Sequence, residues 1–189
     1  MPDFPVLETE RLILRCPEER DLDGFAEMMA DEEAMRFLGG VKPRTEAWRG
    51  MATLAGSFVI RGYGMFSVID RVTGEWLGRI GPWFPEAWPG TEVGWGLTRS
   101  AWGKGYATEA ATAAMDFAFD RLGWDEVVHT IDPGNTPSQA VARRVGSRYL
   151  RPGRLPEPIA LDLDVWGQTR AEWKARRVLP RSRGSTPPK

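Results

Sequence analysis

Residues 94–119 read GWGLTRSAWGKGYATEAATAAMDFAF, and this stretch decides the fold. A strand interrupted by Gly94 and Gly96 leads into a turn at Gly103–Gly105, and a helix follows. One side of that helix carries five alanines and a leucine, namely Ala107, Ala110, Ala111, Ala114, Ala118 and Leu122. Because this spacing is helical, the pattern predicts a helix with a narrow face that lies flat on a sheet.

The turn before this helix predicts an anion-binding site. Glycines remove side chains where the chain turns, so that successive backbone N–H groups can converge on an anion. The helix N-terminus adds free N–H donors and the positive end of its dipole, and Lys104 adds a charge. The turn is not a Walker loop, because Thr98 and Gly105 stand where that motif requires Gly and Ser or Thr. It is not a G-x-G-x-x-G fingerprint either, since Thr108 replaces the last glycine. On these residues alone, an ordinary strand-to-helix turn is an equally good interpretation.

The remaining segments predict further strands and helices around this unit. Strands are expected at 11–16, 63–70, 75–81, 91–98, 126–131, 147–150 and 159–166. Asp21, Thr45 and Asn135 are expected to cap three helices, with Trp48 on the core side of the second, and a last helix is expected over 169–177. Segment 82–90, rich in proline and aromatic residues, is expected to be a loop. The order β-α-α-β-β-β-α-β-α-β-β predicts an α+β, or mixed α/β, fold.

Composition narrows the class of protein. The chain has 189 residues and a net charge of −1, which predicts one domain and no field that attracts nucleic acid or an anionic membrane. A single cysteine and a single histidine leave no disulfide and no zinc cluster, so no metal is expected. We expect that histidine, His129, to be a core residue.

The ends of the chain carry two further expectations. The N-terminal segment is acidic and lacks a hydrophobic signal region, and no apolar run approaches the ~20 residues of a membrane span, so a cytoplasmic location is expected. We place the domain at residues 1–178 and expect residues 179–189 to form a flexible basic tail. Anchoring of this tail to RNA is the alternative to a purely solvated tail.

Several stretches together closely resemble the GNAT superfamily of N-acetyltransferases. The stretch quoted above is followed at residues 135–146 by NTPSQAVARRVG. The opening LETERLILR (7–15) and the closing AEW (171–173) look like the branch that contains the ribosomal-protein N-acetyltransferases RimJ and RimL. The resemblance covers roughly residues 7–175.

The resemblance implies a splayed, mostly antiparallel sheet of six to seven strands flanked by helices. It also implies acetyl-CoA as cosubstrate and no metal. The acyl-pantetheine arm would lie between strands 91–98 and 126–131, and the pyrophosphate would lie on the amides of residues 103–108. The cofactor-binding residues implied in this way are Leu97, Trp102, Gly103, Lys104, Gly105, Tyr106, Ala107, Thr108, Asn135 and Ser138.

For the chemistry we expect Glu92 to be the general base. It shares a strand face with Gly94 and Gly96, and burial beside Trp83 or Trp95 would raise its pKa toward neutrality. A solvent-facing strand glutamate is the equal alternative, with Glu86 and Asp132 as other candidate bases. Strand amides near 95–97 are the expected oxyanion donors.

The group that meets the leaving thiolate is expected to be Ser138. Many members of the superfamily use a tyrosine there, but Ala142 stands at that position. Because a serine hydroxyl is a poor acid, Ser138 is expected to donate a hydrogen bond. Capping of the helix beside Asn135 is its alternative role.

We expect the acceptor pocket to be lined by Trp83, Phe84, Trp88 and the first two helices. Residues 1–36 hold eleven acidic and four basic side chains, which favours a cationic amine or a basic peptide N-terminus. The predicted function is acetyl transfer to a primary amine of a protein N-terminus, an amino acid or a small molecule, by direct attack in a ternary complex. The alternative is a non-catalytic acyl-CoA-binding or sensing module. The sequence does not fix the oligomeric state, and a homodimer is one option.

Overall fold

The structure is a computed structural model, and it describes residues 4–178. Its strands are β1 (Leu7–Glu8), β2 (Leu12–Arg15), β3 (Phe66–Asp70), β4 (Trp76–Trp83), β5 (Glu92–Leu97), β6 (Glu126–Ile131), β7 (Arg148–Arg154) and β8 (Asp162–Thr169). Its helices are α1 (Leu22–Ala30), α2 (Glu32–Met35), α3 (Arg44–Arg61), α4 (Tyr106–Asp116), α5 (Thr136–Arg144) and α6 (Arg170–Val178). The predicted order of elements is observed, with β1 and α2 as short additions. The expected tail, residues 179–189, lies outside the described residues.

The strands form one sheet in the order β1-β2-β3-β4-β5-β6-β8-β7. All neighbours are antiparallel except β5 and β6, which are parallel and share one register pair, Glu92 with Val128. Beyond that pair the two halves of the sheet part. The predicted mixed fold with an open, mostly antiparallel sheet is therefore confirmed, with eight strands instead of six or seven.

Helix α4 packs flat on the sheet, as its alanine stripe predicts. Ala110, Ala111, Ala114 and Ala118 are fully buried, beside Val93 of β5. The helix does not continue in one form to Leu122, because a π-helical turn at Phe117–Arg121 follows it. The small side chains bring the α4 backbone close to the sheet and fix where its N-terminus points.

Helices α1 and α3 pack on a second cluster, and here one core prediction is wrong. The buried side of α3 consists of Ala47, Met51, Leu54 and Phe58, whereas Trp48 is 54% exposed. The buried positions recur with helical period from Ala47, so Trp48 lies one step off that side. Thr45 lies inside the first turn of the helix instead of capping it, because the helix begins at Arg44 after Pro43.

Asp21 occupies the N-cap position of α1, but its side chain makes no capping bond to that helix and is instead the centre of a buried ion pair. Its carboxylate accepts from Arg15 at 2.7 and 2.8 Å, from the Glu18 amide and from the Ser67 hydroxyl. Burial acts to raise the pKa of Asp21, but these bonds outweigh it and lower that pKa. The cap prediction failed because a 2% exposed carboxylate requires partners of its own, and Arg15 supplies them.

The segment predicted as a loop at 82–90 begins two residues later than expected, because β4 continues through Trp83. Pro82 stands opposite Val93 in the register, and the Val93 carbonyl is turned away from β4 toward His129. No ladder donor is needed at this position, so a proline fits in the strand.

Candidate active site

The candidate site lies where β5 and β6 part. The Val128 amide donates to the Thr91 carbonyl at 2.9 Å, which is the last regular step between the two strands. The next amide on that side of β6, at Thr130, donates instead to the Glu92 carboxylate at 3.0 Å. The Glu92 side chain thus takes the place of a backbone acceptor on β5, and the two strands separate around it.

Glu92 is buried at this point, with 5% of its surface exposed. Its carboxylate accepts from the Thr130 hydroxyl at 2.8 Å and from the indole N–H of Trp88. Burial raises the pKa of Glu92, although these donors and the Arg79 charge oppose the rise. The solvent-facing alternative is therefore wrong. Trp83 stands opposite Glu92 in the register, and the indole that donates to the carboxylate is that of Trp88. Thr130 was missed because an isolated strand threonine carries no sequence signal.

The His129 side chain bonds to the edge of β5 at Val93, the residue after Glu92. Its Nδ1 lies 2.7 Å from the Val93 carbonyl, which can only accept, so Nδ1 carries the proton. Its Nε2 then accepts from Ser147, 2.9 Å away, and Gln168 donates to the same hydroxyl. Burial lowers the pKa of His129 to about 4, so the ring is neutral. The prediction of a core histidine is confirmed.

The exposed edge of β5 provides donors inside the gap. Because the Thr91 and Val93 carbonyls face β6, strand alternation turns the amides of Trp95 and Leu97 to the same side. The indole N–H of Trp95 crosses toward α5 and donates to the Ser138 hydroxyl at 3.2 Å. The Leu97 carbonyl is already occupied by the Trp102 indole at 2.9 Å. Trp102 therefore ties the loop to the strand.

The loop before α4 has the geometry of an anion cradle. Gly103 and Gly105 adopt left-handed φ values of +73° and +82°. Among the described residues, no acceptor is found for the backbone amides from Gly103 to Thr108, and the first helical bond runs from Glu109 to the Gly105 carbonyl. No side chain caps the helix start. Lys104 is exposed beside these amides.

Arg11 braces this loop from the first hairpin. Its guanidinium donates to the Lys104 carbonyl at 3.0 Å and pairs with Glu109 at 2.6 Å. It also lies 4.5 Å from the centre of the Tyr106 ring, and the Tyr106 hydroxyl donates to Asp70. This contact was missed, since nothing local links residues that are 93 positions apart.

Asn135 caps α5 as predicted. Its side-chain oxygen accepts from the Ser138 amide at 3.1 Å, while the Ser138 hydroxyl faces Trp95. Ala142, at the position of the superfamily's tyrosine, is completely buried. Asn135 and Ser138 both line the cavity described next.

A cavity of about 360 Å³ joins these groups. Trp83, Trp88 and Glu92 line it together with apolar side chains at Leu155, Leu161 and nearby positions. Phe84 does not line it; the Arg61 guanidinium lies 5.8 Å from its ring. Of the other candidate bases, Asp132 lines the cavity and Glu86 is exposed outside it.

The expected acidic rim is not observed. Among the described residues, no acidic side chain of segment 4–36 lines the cavity, where the wall begins at Phe37. Asp21, Asp23 and Asp31 are instead paired with arginines at 2.6–2.7 Å. Five of the ten acidic side chains in segment 4–36 form ion pairs with arginines and none of the ten lines the cavity, so the acidic excess gives no reason to favour a cationic acceptor.

Two kinds of feature are absent from the residues that the structure describes. Within residues 4–178 there is no helix of the length and apolar character that a membrane span requires. The same residues contain no group of three or more His, Cys, Asp or Glu side chains that could hold a metal ion.

Comparison with known proteins places the chain among acetyltransferases. A family model described as acetyltransferase (GNAT) domain matches residues 11–148. The protein YkkB of Bacillus subtilis (strain 168) is 35% identical over 152 residues, which cover 77% of this chain and 86% of YkkB. The N-acetyltransferase p20 of Bacillus licheniformis is 32% identical over 136 residues, covering 70% of this chain and 76% of p20. The crystal structure of an acetyltransferase from Agrobacterium tumefaciens str. C58 superimposes with a TM-score of 0.78 at 31% identity, covering 89% of this chain and 96% of the other.

Proposed function

The chain belongs to the GNAT acetyltransferase family, and we propose that it transfers an acetyl group from acetyl-CoA to a primary amine by direct attack in a ternary complex. The observation that carries this proposal is the alignment of three features along one path. Within residues 4–178, the backbone amides at the start of α4 have no acceptor, and the edge of β5 next to them is unpaired. Buried Glu92 lies at the other end of β5, inside the cavity. The RimJ/RimL-like branch is part of the proposal and rests on the residues quoted for it.

The cradle supports acetyl-CoA as the acetyl donor. The amides of Gly103 to Thr108 have no acceptor among the described residues, and the helix N-terminus favours a bound anion. The pyrophosphate would accept from these amides, and Lys104 would add a charge. The pantetheine arm would then run along β5, where the inward-facing amides of Trp95 and Leu97 can bond its polar groups.

The chemistry follows from the groups around the gap. The neutral amine attacks the thioester carbonyl carbon, a C–N bond forms, and the C–S bond breaks to release CoA as a thiolate, which is neutralised by the second proton that the nitrogen loses as it becomes an amide. Glu92 takes the proton lost by the ammonium, directly or through a water. The Trp95 amide, which faces the gap, would stabilise the oxyanion. The Ser138 hydroxyl accepts from Trp95, so its own hydrogen is free to meet the sulfur.

Replacing Glu92 with glutamine tests this assignment. Glu92→Gln keeps one acceptor oxygen, for the Thr130 amide, but turns its NH2 group toward the Trp88 indole N–H, so a moderate loss of stability is expected while the fold and acetyl-CoA affinity persist. Thiol release should fall by about 10²- to 10⁴-fold, the usual contribution of a general base. The matched control is Glu75→Gln, which removes an exposed carboxylate in the β3–β4 turn and should react as the wild type does.

The pH profile gives a second readout on the same residue. Only the ionised carboxylate accepts a proton, so kcat/KM should rise with pH through the pKa of Glu92. Because burial raises that pKa, the rising limb should lie above the usual range of a carboxyl group. The limb should disappear in Glu92→Gln. An unchanged limb in the variant would remove Glu92 from the role of base.

A non-catalytic acyl-CoA-binding module is the second candidate. It is favoured by the donors that already surround the Glu92 carboxylate, which also suit a purely structural glutamate. Buried Ala142 at the superfamily's tyrosine position favours it as well. Tight binding of acetyl-CoA without thiol release from any amine in a broad panel would select this candidate.

A further inference from the structure

The cavity contains a cation that the proposed chemistry does not use. Arg79 lies on β4 and lines the cavity wall. In the register of the sheet it stands opposite Gly96, and Trp83 stands opposite Glu92. Opposite residues of an antiparallel pair share a face, so Arg79 and Glu92 project to the same side of the sheet.

Arg79 lacks the partner that an arginine in such a place normally has. A guanidinium offers five N–H donors, and here one of them meets the thioether sulfur of Met65, a weak acceptor. Among residues 4–178, no carboxylate lies within the 4.0 Å limit of an ion pair with it, whereas Arg11, Arg15 and Arg99 all pair closely. Burial lowers the pKa of Arg79, and the charge of Glu92 only partly offsets this. Arg79 is half-buried and open to the cavity, so a ligand that brings a negative charge could supply the counter-ion that the guanidinium lacks.

The floor between Arg79 and Glu92 is kept clear of β5 side chains. The two positions of β5 that follow Glu92 on this face are Gly94 and Gly96, so nothing projects from the strand beyond Glu92. A Cβ at Gly96 would lie 3.4 Å from Leu38, and one at Gly94 would lie 2.4 Å from the Met65 methyl group. The Met65 methyl group therefore lies over Gly94, and the Met65 sulfur accepts from the Arg79 guanidinium.

Other charges on the wall do not neutralise Arg79. Asp162 is engaged by Arg154 at 2.6 Å. Asp132 accepts from the Gly134 amide at 2.7 Å, beyond the end of β6. The remaining wall near Glu92 is apolar, with Trp83, Trp88 and the side chains of segment 155–163.

We propose that the acceptor amine carries a carboxylate, and that the substrate class is free α-amino acids with an apolar side chain. Arg79 takes the carboxylate, the amino group lies toward Glu92 and the thioester, and the side chain packs on the indoles and aliphatic residues of the wall. This inference rests on the proposed acetyl transfer and specifies its acceptor. Arg79 is a specificity-determining residue, since it touches the substrate but not the reacting atoms.

Matched pairs of amines test the inference in the intact chain. Thiol release from acetyl-CoA is measured with L-phenylalanine and L-leucine, each against its amide, which has the same shape but no negative charge. Because a hydrogen-bonded charge pair is recognised far better than a neutral analogue, kcat/KM for the free acid should exceed that for the amide by about 10- to 100-fold.

Variants of Arg79 separate its role from that of the fold. Arg79→Met should reduce the acid-to-amide ratio to about 1, and Arg79→Lys should keep part of it, because Lys retains the charge but not the fork. The control Arg49→Met removes an exposed cation of α3 outside the cavity wall and should keep the wild-type ratio. If Arg79→Met does not fold, the wild-type ratio and the Arg79→Lys variant still decide the question.

Three results would overturn the inference. The first is an amide, or a peptide with the same N-terminal residue, that reacts as well as the free amino acid. The second is an Arg79→Met variant that raises the KM for acetyl-CoA equally with every acceptor, which would assign Arg79 to the cosubstrate. Both leave acetyl transfer intact. The third is the absence of thiol release with any amine, and that result would count against the proposed function as well.

Discussion

At the residue scale, the site depends on ionisable groups that the sheet holds away from water. Glu92 could be selected from the sequence because two glycines follow it on the same strand face. The hydrogen bond between Glu92 and Trp88 could not be predicted, because Trp88 lies in the loop between β4 and β5 and only the folded chain brings its indole to the carboxylate. Arg79 was missed, since a charged residue in a hairpin strand reads as solvent-facing. Only the register of β4 with β5 reveals that it shares a face with Glu92.

His129 gives a stability prediction at this scale. Its folded pKa of about 4 lies below the ordinary value of 6.5, so the neutral ring stabilises the fold above pH 6.5. As the pH falls from 6.5 toward 4, the unfolded chain takes up this proton first and that stability is lost. Between about pH 7.5 and pH 4.5 the wild type should lose on the order of 2–3 kcal/mol of unfolding free energy from this residue.

The control for this prediction is His129→Asn, which does not titrate and can still donate to the Val93 carbonyl. Urea unfolding of both proteins at the two pH values isolates His129, because Glu92 and the other carboxylates titrate in both. Parallel losses in the wild type and the variant would contradict the assignment of a buried neutral imidazole.

At the scale of elements, the strand–turn–helix unit around α4 was the most predictable part of the chain. Its alanine stripe has one packing solution, flat against the sheet, and the two glycines fix the turn. Other elements were misjudged where a tertiary contact outweighed a local preference. Asp21 has the form of a helix cap, yet Arg15 and Ser67 bind it. Trp48 has the large apolar side chain of a core residue, yet the buried positions of α3 recur with helical period from Ala47 and leave Trp48 outside them.

The cradle makes a prediction at the element scale. Gly105→Val and Gly74→Val each place a side chain on left-handed backbone, at φ values of +82° and +73°. Each change should lower the stability by at least 1–2 kcal/mol, roughly the cost of that conformation. Only the first should weaken acetyl-CoA binding, by about tenfold or more, because Gly105 belongs to the segment whose amides we propose to hold the pyrophosphate, and a Cβ there lies 3.5 Å from Arg11, which supports the loop. Calorimetric titration and thermal unfolding of both variants measure the two effects. Equal affinities would argue against the cradle.

At the scale of the whole molecule, the sequence predicts the classes of element but not the order of strands. The parallel contact of β5 with β6 depends on the hydrogen bond from the Val128 amide to the Thr91 carbonyl. Helix α4 separates these two residues in the sequence, and no local pattern encodes such a pairing. The resemblance of the α4 region to a known superfamily supplied the splayed sheet. The eighth strand was missed because β1 has two residues, too few for a periodicity to show.

The structure of the complete chain with acetyl-CoA tests the central claim most directly. The account predicts the pyrophosphate within hydrogen-bond distance of the amides from Gly103 to Thr108 and the thioester in the gap between β5 and β6, facing Glu92. A complex with the pyrophosphate bound elsewhere, or with the acetyl group outside that gap, would contradict it.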